Sequence, residues 1–310
     1  MTKYHISGLL ILERKSRKIF FVDPFKLNII SLSIEFHVLL HGLVIDADRG
    51  LAFISALREA HQRRPSTRLV SIFDLGTRSW LTDIDLGPLK APRAMRFGPD
   101  GLLYVCCGDS AAIAVIDPEK KRVRKVFPTL SAQSRGLTIL PERQLIVTEN
   151  GADATLSVIR LADDADTRMI SCPGGTAGMD RLPDEKFLVV TSAQKPSLFL
   201  MDVDAGEVRQ EIMLPYHQEG AQSVCLSPNG QWLLVIGGTE AIVTLISLPQ
   251  WNQYPVGVGE KPSEAVFRPD GRTVIVTYEN SEMLTEIDLS SRTVMRTVKL
   301  GVGCDAIAFF

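Results

Sequence analysis

At 310 residues the chain is long enough for two domains of ordinary size, and its 45% hydrophobic and 23% charged residues are those of a soluble globular protein. A formal net charge of −2 and a pI near 6.2 exclude a strongly basic nucleic-acid binder and an acidic disordered tail. No apolar run approaches the roughly 18 residues of a membrane span, and the short run Leu9 to Leu12 is too brief for a signal peptide. Five irregularly spaced cysteines, an odd number, point to free thiols and a reducing compartment, so a cytoplasmic protein is expected.

The chain then reads as one unit repeated. It opens with three apolar segments, Gly8 to Leu12, Lys18 to Val22 and Asn28 to Leu32, within 5–34. A second unit spans 37–87 and carries a long arginine-rich loop, Leu57 to Thr67. The clearest unit follows at 90–130. There, Ala91 to Phe97 leads through a Gly98-Pro99-Asp100-Gly101 turn into Leu102 to Val105. After a polar loop come Ala112 to Ile116, a turn at Asp117 and Val123 to Phe127. Four short strands joined by tight turns are the expected structure. The pattern returns over 132–172, 174–215, 219–258 and 262–301.

Two turn signals keep time. The first recurs at Pro99, Pro141, Pro183, Pro228 and Pro269, in steps of 42, 42, 45 and 41 residues. The second stands at Asp23, Asp74, Asp117, Arg160, Asp202, Ser247 and Asp288, seven markers in all. A four-stranded period of this length marks a β-propeller blade. The sequence therefore predicts an all-β, seven-bladed propeller forming a single domain over 1–310. The first unit lacks an inner strand, and 302–310 matches the start of the last unit in register, so the C-terminal strand is predicted to complete blade 1 and close the ring.

Three segments, Leu103 to Cys107, Leu145 to Asn150 and Val274 to Asn280, carry an apolar strand running into a polar loop, two of them through Val-Thr. This pattern resembles the YVTN-type propeller repeat, with blades similar to those of amine-dehydrogenase heavy chains. The resemblance implies the seven-bladed ring and no single activity, since the family includes surface proteins, electron-transfer partners and lyases. Its redox members are exported and work with quinone or haem subunits. This chain shows no export signal and no Cys-x-x-Cys-His motif, which disfavours a redox partner subunit.

Alternating strand direction places the starts of the inner strands and the loops between second and third strands on one face. The inner-strand starts there are His41-Gly42, Arg93-Ala94, Arg135-Gly136, Ala177-Gly178, Gln222-Ser223, Ser263-Glu264 and Asp305-Ala306. Arg93 and Arg135 are candidates for a carboxylate or phosphate, because the guanidinium fork bonds such groups in pairs. His41 and His217 are candidate acid–base groups, and Glu149 and Asp305 candidate bases or cation ligands. Gln222, Glu264, Asn150 and Tyr278 complete the expected binding set. The loops of that face also bring His37, His61, Asp109, Gln194, Lys195, Glu240, Glu279 and Asn280. Trp251 and Tyr254 are candidate walls, Cys304 a nucleophile only with a nearby base such as His41, and Asp180 an oddly placed inner-strand carboxylate with Arg181 or a channel water as the expected partner. No cofactor is expected, a divalent cation stays open, and no spacing motif marks a metal site. The reading that results is a small-molecule-binding propeller, an acid–base lyase, hydrolase or isomerase. The alternative is a scaffold that meets a protein partner through its rim.

Overall fold

The computed structural model describes residues 8–32, 36, 38–59, 67–161, 166–279 and 281–310, with the backbone alone at 32, 38, 39 and 57–59. These residues form seven four-stranded antiparallel sheets, one per predicted blade. No helix among them is long and apolar enough to cross a membrane. His37, His61 and Asn280, and most of the arginine-rich loop of blade 2, lie outside the described residues.

Both turn signals have a local cause. Asp23, Asp117 and Asp202 each receive two backbone N–H groups from the residues that follow, at 2.7–3.1 Å. Asp74 and Asp288 receive one each, at 2.6 and 2.7 Å. These N–H donors hold the carboxyls below the usual range and fold the chain back without help from distant residues. At the Pro-Asp-Gly turns, Asp100 and Asp270 accept the N–H two residues on, and Gly101 and Gly271 take φ of +72° and +67°. A side chain would strain that backbone.

The strands are short and apolar, and the core is divided by the ring. Seven clusters of buried side chains each lie between adjacent blades, from Phe53, Ile72 and Val105 between blades 2 and 3 to Leu9, Ile275 and Leu284 between blades 7 and 1. Among the described residues no blade has a buried cluster of its own, so each depends on its neighbours.

Closure occurs at blade 1 as expected. Ala306–Phe309 pairs antiparallel with Leu9–Glu13, from Leu12↔Ala306 to Leu9↔Phe309. Gly8 and Phe310 exchange backbone hydrogen bonds at 3.0 and 3.1 Å. A Cβ on Gly8 would lie 2.3 Å from the Phe310 ring, which packs edge-on against Phe21. Blade 7 is fastened to blade 1 by charge. Buried Arg268 donates to Glu286 at 2.7 Å and to the Pro24 carbonyl at 2.5 Å, while Arg296 joins Glu286 to the Phe25 carbonyl. Removing residues 304–310 is predicted to abolish cooperative unfolding near the full-length midpoint. Arg268→Ala leaves buried Glu286 with Arg296 and Thr273 and is predicted to cost about 1.5–3 kcal/mol, the worth of a hydrogen bond to a charged group. Chemical denaturation followed by circular dichroism checks both, and a truncated chain that melts with the full one contradicts closure.

Candidate functional site

Seven inner strands converge on the axis, and crowding decides what they carry. The second residue of each inner-strand start is Gly42, Ala94, Gly136, Gly178, Ser223, Glu264 or Ala306. A Cβ on Gly42 would stand 2.6 Å from the Arg93 carbonyl, and one on Gly178 would stand 2.9 Å from Ser223 Cα. Small residues are thus required where neighbouring inner strands touch. Glu264 is the exception and projects into the channel.

Two residues further along, the equivalent positions are Val44, Arg96, Thr138, Asp180, Cys225, Val266 and Ala308. Asp180 accepts from the backbone N–H groups of Leu226 and Arg181, both at 2.8 Å. The Arg181 side chain turns away to Glu185, so the expected pairing with Asp180 is made by its backbone only. The guanidinium that faces Asp180 is that of Arg96. Burial raises Asp180, and the two N–H groups and Arg96 oppose the rise. Water in the channel reaches Glu264, yet protein surrounds it and the narrow space screens it poorly. Burial pushes Glu264 up to about 7, against Arg96 and Arg14 and helped by Asp305.

The expected site residues separate into distinct places. Arg135, Glu149 and Gln222 come together. With Thr176, Gln194 and the backbone of Gly151 and Gly175 they line a cavity of about 540 Å³ between blades 4 and 5, on the predicted face. Glu149 is 4% exposed. Its carboxylate accepts from the Gly136 N–H at 3.1 Å and from Thr176 Oγ1 at 2.9 Å. Burial raises it, opposed by Thr176, the Arg135 charge and the backbone N–H groups. Arg135 is exposed and lies over Gly151, whose Cβ would stand 3.4 Å from its Nε. Gly174 and Gly175, at φ of +83° and +71°, form the loop on the far side. Gln222 lies against Gly238, where a Cβ would fall 2.1 Å from its amide nitrogen.

Other candidates are structural. Asn150 is fully buried. Its carbonyl accepts from Ser134 at 2.7 Å and Thr148 at 3.2 Å, and its amide donates to Thr155 and Ser157. Every polar atom is satisfied inside blade 4, so it braces the loop and leaves nothing for a ligand. Tyr278 is 2% exposed, its hydroxyl held between the Gly259 N–H and Thr285. His217 is buried, with Nε2 2.9 Å from Thr244 Oγ1 and Nδ1 3.7 Å from Glu240. Burial lowers its pKa, only partly offset by Glu240. It does not line the cavity. Trp251 sits in the turn between the third and outer strands of blade 6, on the opposite face, and Tyr254 packs on Trp232, so neither walls the site. Cys304 is buried, its thiol raised well above the ordinary value by burial, which removes it as a nucleophile.

His41, Arg93 and Asp305 stand at the channel mouth. Asp305 accepts the backbone N–H of Arg14 at 2.6 Å and lies 3.9 Å from its guanidinium. It is therefore a positioning partner for Arg14, which the sequence reading did not single out. Burial, with the charges of Arg14 and Arg93, lowers His41 to about 4. It is neutral near pH 7 and has no proton to give as an acid. Among the described residues no three His, Cys, Asp or Glu side chains gather as a metal site.

No family model matches the chain, and no curated protein does. Solved structures match over nearly all of it. A functionally unknown protein from Desulfotomaculum acetoxidans is 13% identical with a TM-score of 0.79, covering 97% of this chain and 98% of that one. Hydrazine synthase from Kuenenia stuttgartiensis is 16% identical with a TM-score of 0.70, covering 88% and 90%. The dihydro-heme d1 dehydrogenase NirN, in complex with DHE, is 14% identical with a TM-score of 0.67, covering 95% of this chain and 64% of that one. At these identities the likeness shows the propeller fold alone.

The channel carboxyl sets a pH dependence. Folded Glu264 holds its proton up to about pH 7, whereas the unfolded side chain releases it near 4.5. Its contribution is therefore full below 4.5 and lost as pH rises through 7. Arg96, Arg14 and Asp305 are the charges that face it. Glu264→Gln is predicted to flatten the fall in stability between acid and mildly alkaline pH, read by urea unfolding at several pH values. Parallel curves for the two proteins contradict this.

Proposed function

We propose that this propeller binds a small anionic or polar organic molecule in the cavity between blades 4 and 5, with Glu149 positioned to exchange a proton with it. What supports the reading is one arrangement. An exposed guanidinium, a buried carboxyl with a raised pKa and a primary amide line a single cavity of small-molecule size. Arg135 would take the carboxylate or phosphate of the ligand through its planar fork. Gln222 would orient the rest. Glu149, held by Gly136 and Thr176, is the one acid–base candidate among the described residues that line the cavity, and burial raises its carboxyl above the ordinary range, the direction that favours a proton donor. Lyase, isomerase or hydrolase chemistry is therefore carried by Glu149 and not by His41 or His217. The repeat's resemblance to YVTN-type propellers agrees with the ring and leaves the chemistry to these side chains.

Calorimetry with malonate, malate, citrate and glucose 6-phosphate tests the proposal. Arg135→Ala is predicted to weaken the binding of whichever of these associates by about tenfold to a hundredfold, the worth of a charge-assisted hydrogen bond pair. Glu149→Gln should keep that binding within a few fold. Binding that is unchanged by Arg135→Ala contradicts the proposal.

A further inference from the structure

Gln222 enters the cavity from a β-bulge. Ala221 pairs with Gly237 and Ser223 with Ile236, so Gln222 is the extra residue and has no ladder partner to fix its direction. Its supports come from elsewhere. The side chain lies across Gly238, where a Cβ would collide with its amide. Behind it, the connector from blade 5 presses on the cavity wall, with no room for a Cβ on Gly220 beside the Ala193 carbonyl. Glu240 ties the two supports together. Its Oε1 accepts the backbone N–H groups of Gln218 and Glu219 at 2.8 and 3.2 Å, and Thr239 Oγ1 donates to the Glu219 carboxylate at 3.2 Å.

The second oxygen of Glu240 is unsatisfied. Oε2 faces His217 Nδ1 at 3.7 Å, too far for a hydrogen bond, and both atoms are buried without a partner among the described residues. On the other side of the ring, Nε2 lies 2.9 Å from Thr244 Oγ1. Gly237, the ladder partner of Ala221, leaves the space between them open, since a Cβ there would stand 2.5 Å from both Nδ1 and Oε2. Two buried polar atoms facing each other unpaired are costly. A doubly protonated imidazole donates to Thr244 through Nε2 and to Glu240 through Nδ1, the latter a charge-assisted bond of about 2.8 Å. We propose that His217 and Glu240 form a proton-operated latch: protonated His217 closes on Glu240, fixes Gln222 through Gly238 and the 218–220 connector, and so strengthens anion binding in the cavity. The last step rests on the cavity taking an anion, as proposed above. Glu240 is the charge that faces His217, and Gly237, Thr244 and Leu214, from the other elements packed on it, are uncharged. Burial holds His217 below the ordinary imidazole range, partly offset by Glu240, so the latch closes in acid and opens toward neutral pH.

The side-chain amide signal of Gln222 in the full-length, ligand-free protein, identified by its loss in Gln222→Met, is followed with pH beside the imidazole signal of His217, identified by its loss in His217→Gln. The amide is expected to shift with the His217 midpoint. Glu240→Gln keeps an acceptor for the connector and turns an N–H toward the imidazole. It is expected to lower the His217 midpoint by about one pH unit or more, the size of a close opposite charge, and to uncouple the amide from it. In His217→Gln the amide step is expected to vanish. A step that persists there belongs to Glu149 across the cavity and overturns the latch, as does an amide that ignores the His217 midpoint or still follows it in Glu240→Gln. Malonate affinity, read by calorimetry, is expected to gain about fivefold or more below the His217 midpoint relative to Glu240→Gln, the low end of ordinary coupling between sites. Equal pH profiles for the two proteins contradict the coupling. The amide titration uses no ligand, so a latch that fails there and a cavity that takes no malonate are separate results.

Discussion

The pairing of the last strand with the first is the contact on which everything else rests. Each hydrophobic cluster lies between two blades, so an open ring would leave the faces of blades 1 and 7 without partners. Leu9 to Leu12 are at most 1% exposed, with Ala306–Phe309 paired beside them, Leu9 and Ile11 packed toward blade 7 and Leu10 and Leu12 toward blade 2. Burying side chains of this size is worth about 1.5–3 kcal/mol each. The Arg268–Glu286–Arg296 group adds direction to that burial by reaching the Pro24 and Phe25 carbonyls across the seam.

Closure also dictates where chemistry can reside. Seven inner strands around a narrow axis leave room for little beyond glycine, alanine and serine at the first crowded layer, and Glu264 fills the space those residues leave. Polar groups collect at the strand starts, where the loops are, in six of the seven blades, blade 5 offering Ala177. The two arginines illustrate the outcome. Each lies over the first glycine of its own blade's loop, Arg93 over Gly108 beside the Ser134 carbonyl and Arg135 over Gly151 in the cavity that holds the buried Glu149 carboxyl.

The turns were legible because their physics is local. Asp23, Asp74, Asp117, Asp202 and Asp288 bind N–H groups two or three residues away, and the blade count follows from their spacing. The faces were legible because strand direction alternates, which placed Arg135, Glu149 and Gln222 on one face; that they share a cavity comes from the structure. Whether a loop side chain faces ligand or blade is not a local property. Asn150 looks like a ligand-binding amide in sequence, but its partners Ser134, Thr148, Thr155 and Ser157 enclose it. His217 is hidden by Thr244, far along the chain. Arg14 escaped notice because its carboxylate partner is 291 residues distant and joins it only at the seam. Arg96 was within reach of the repeat alignment, since it holds the inner-strand position that makes Asp180 conspicuous in blade 5.

We propose that the cavity between blades 4 and 5, at the open end of this ring, takes an anion. A crystal structure of the full chain grown in malonate tests it most directly. The expected result is a dicarboxylate seated against the Arg135 guanidinium and the Gln222 amide, with Glu149 in the wall. A cavity closed by side chains, or malonate bound elsewhere with Arg135 turned to solvent, would contradict it.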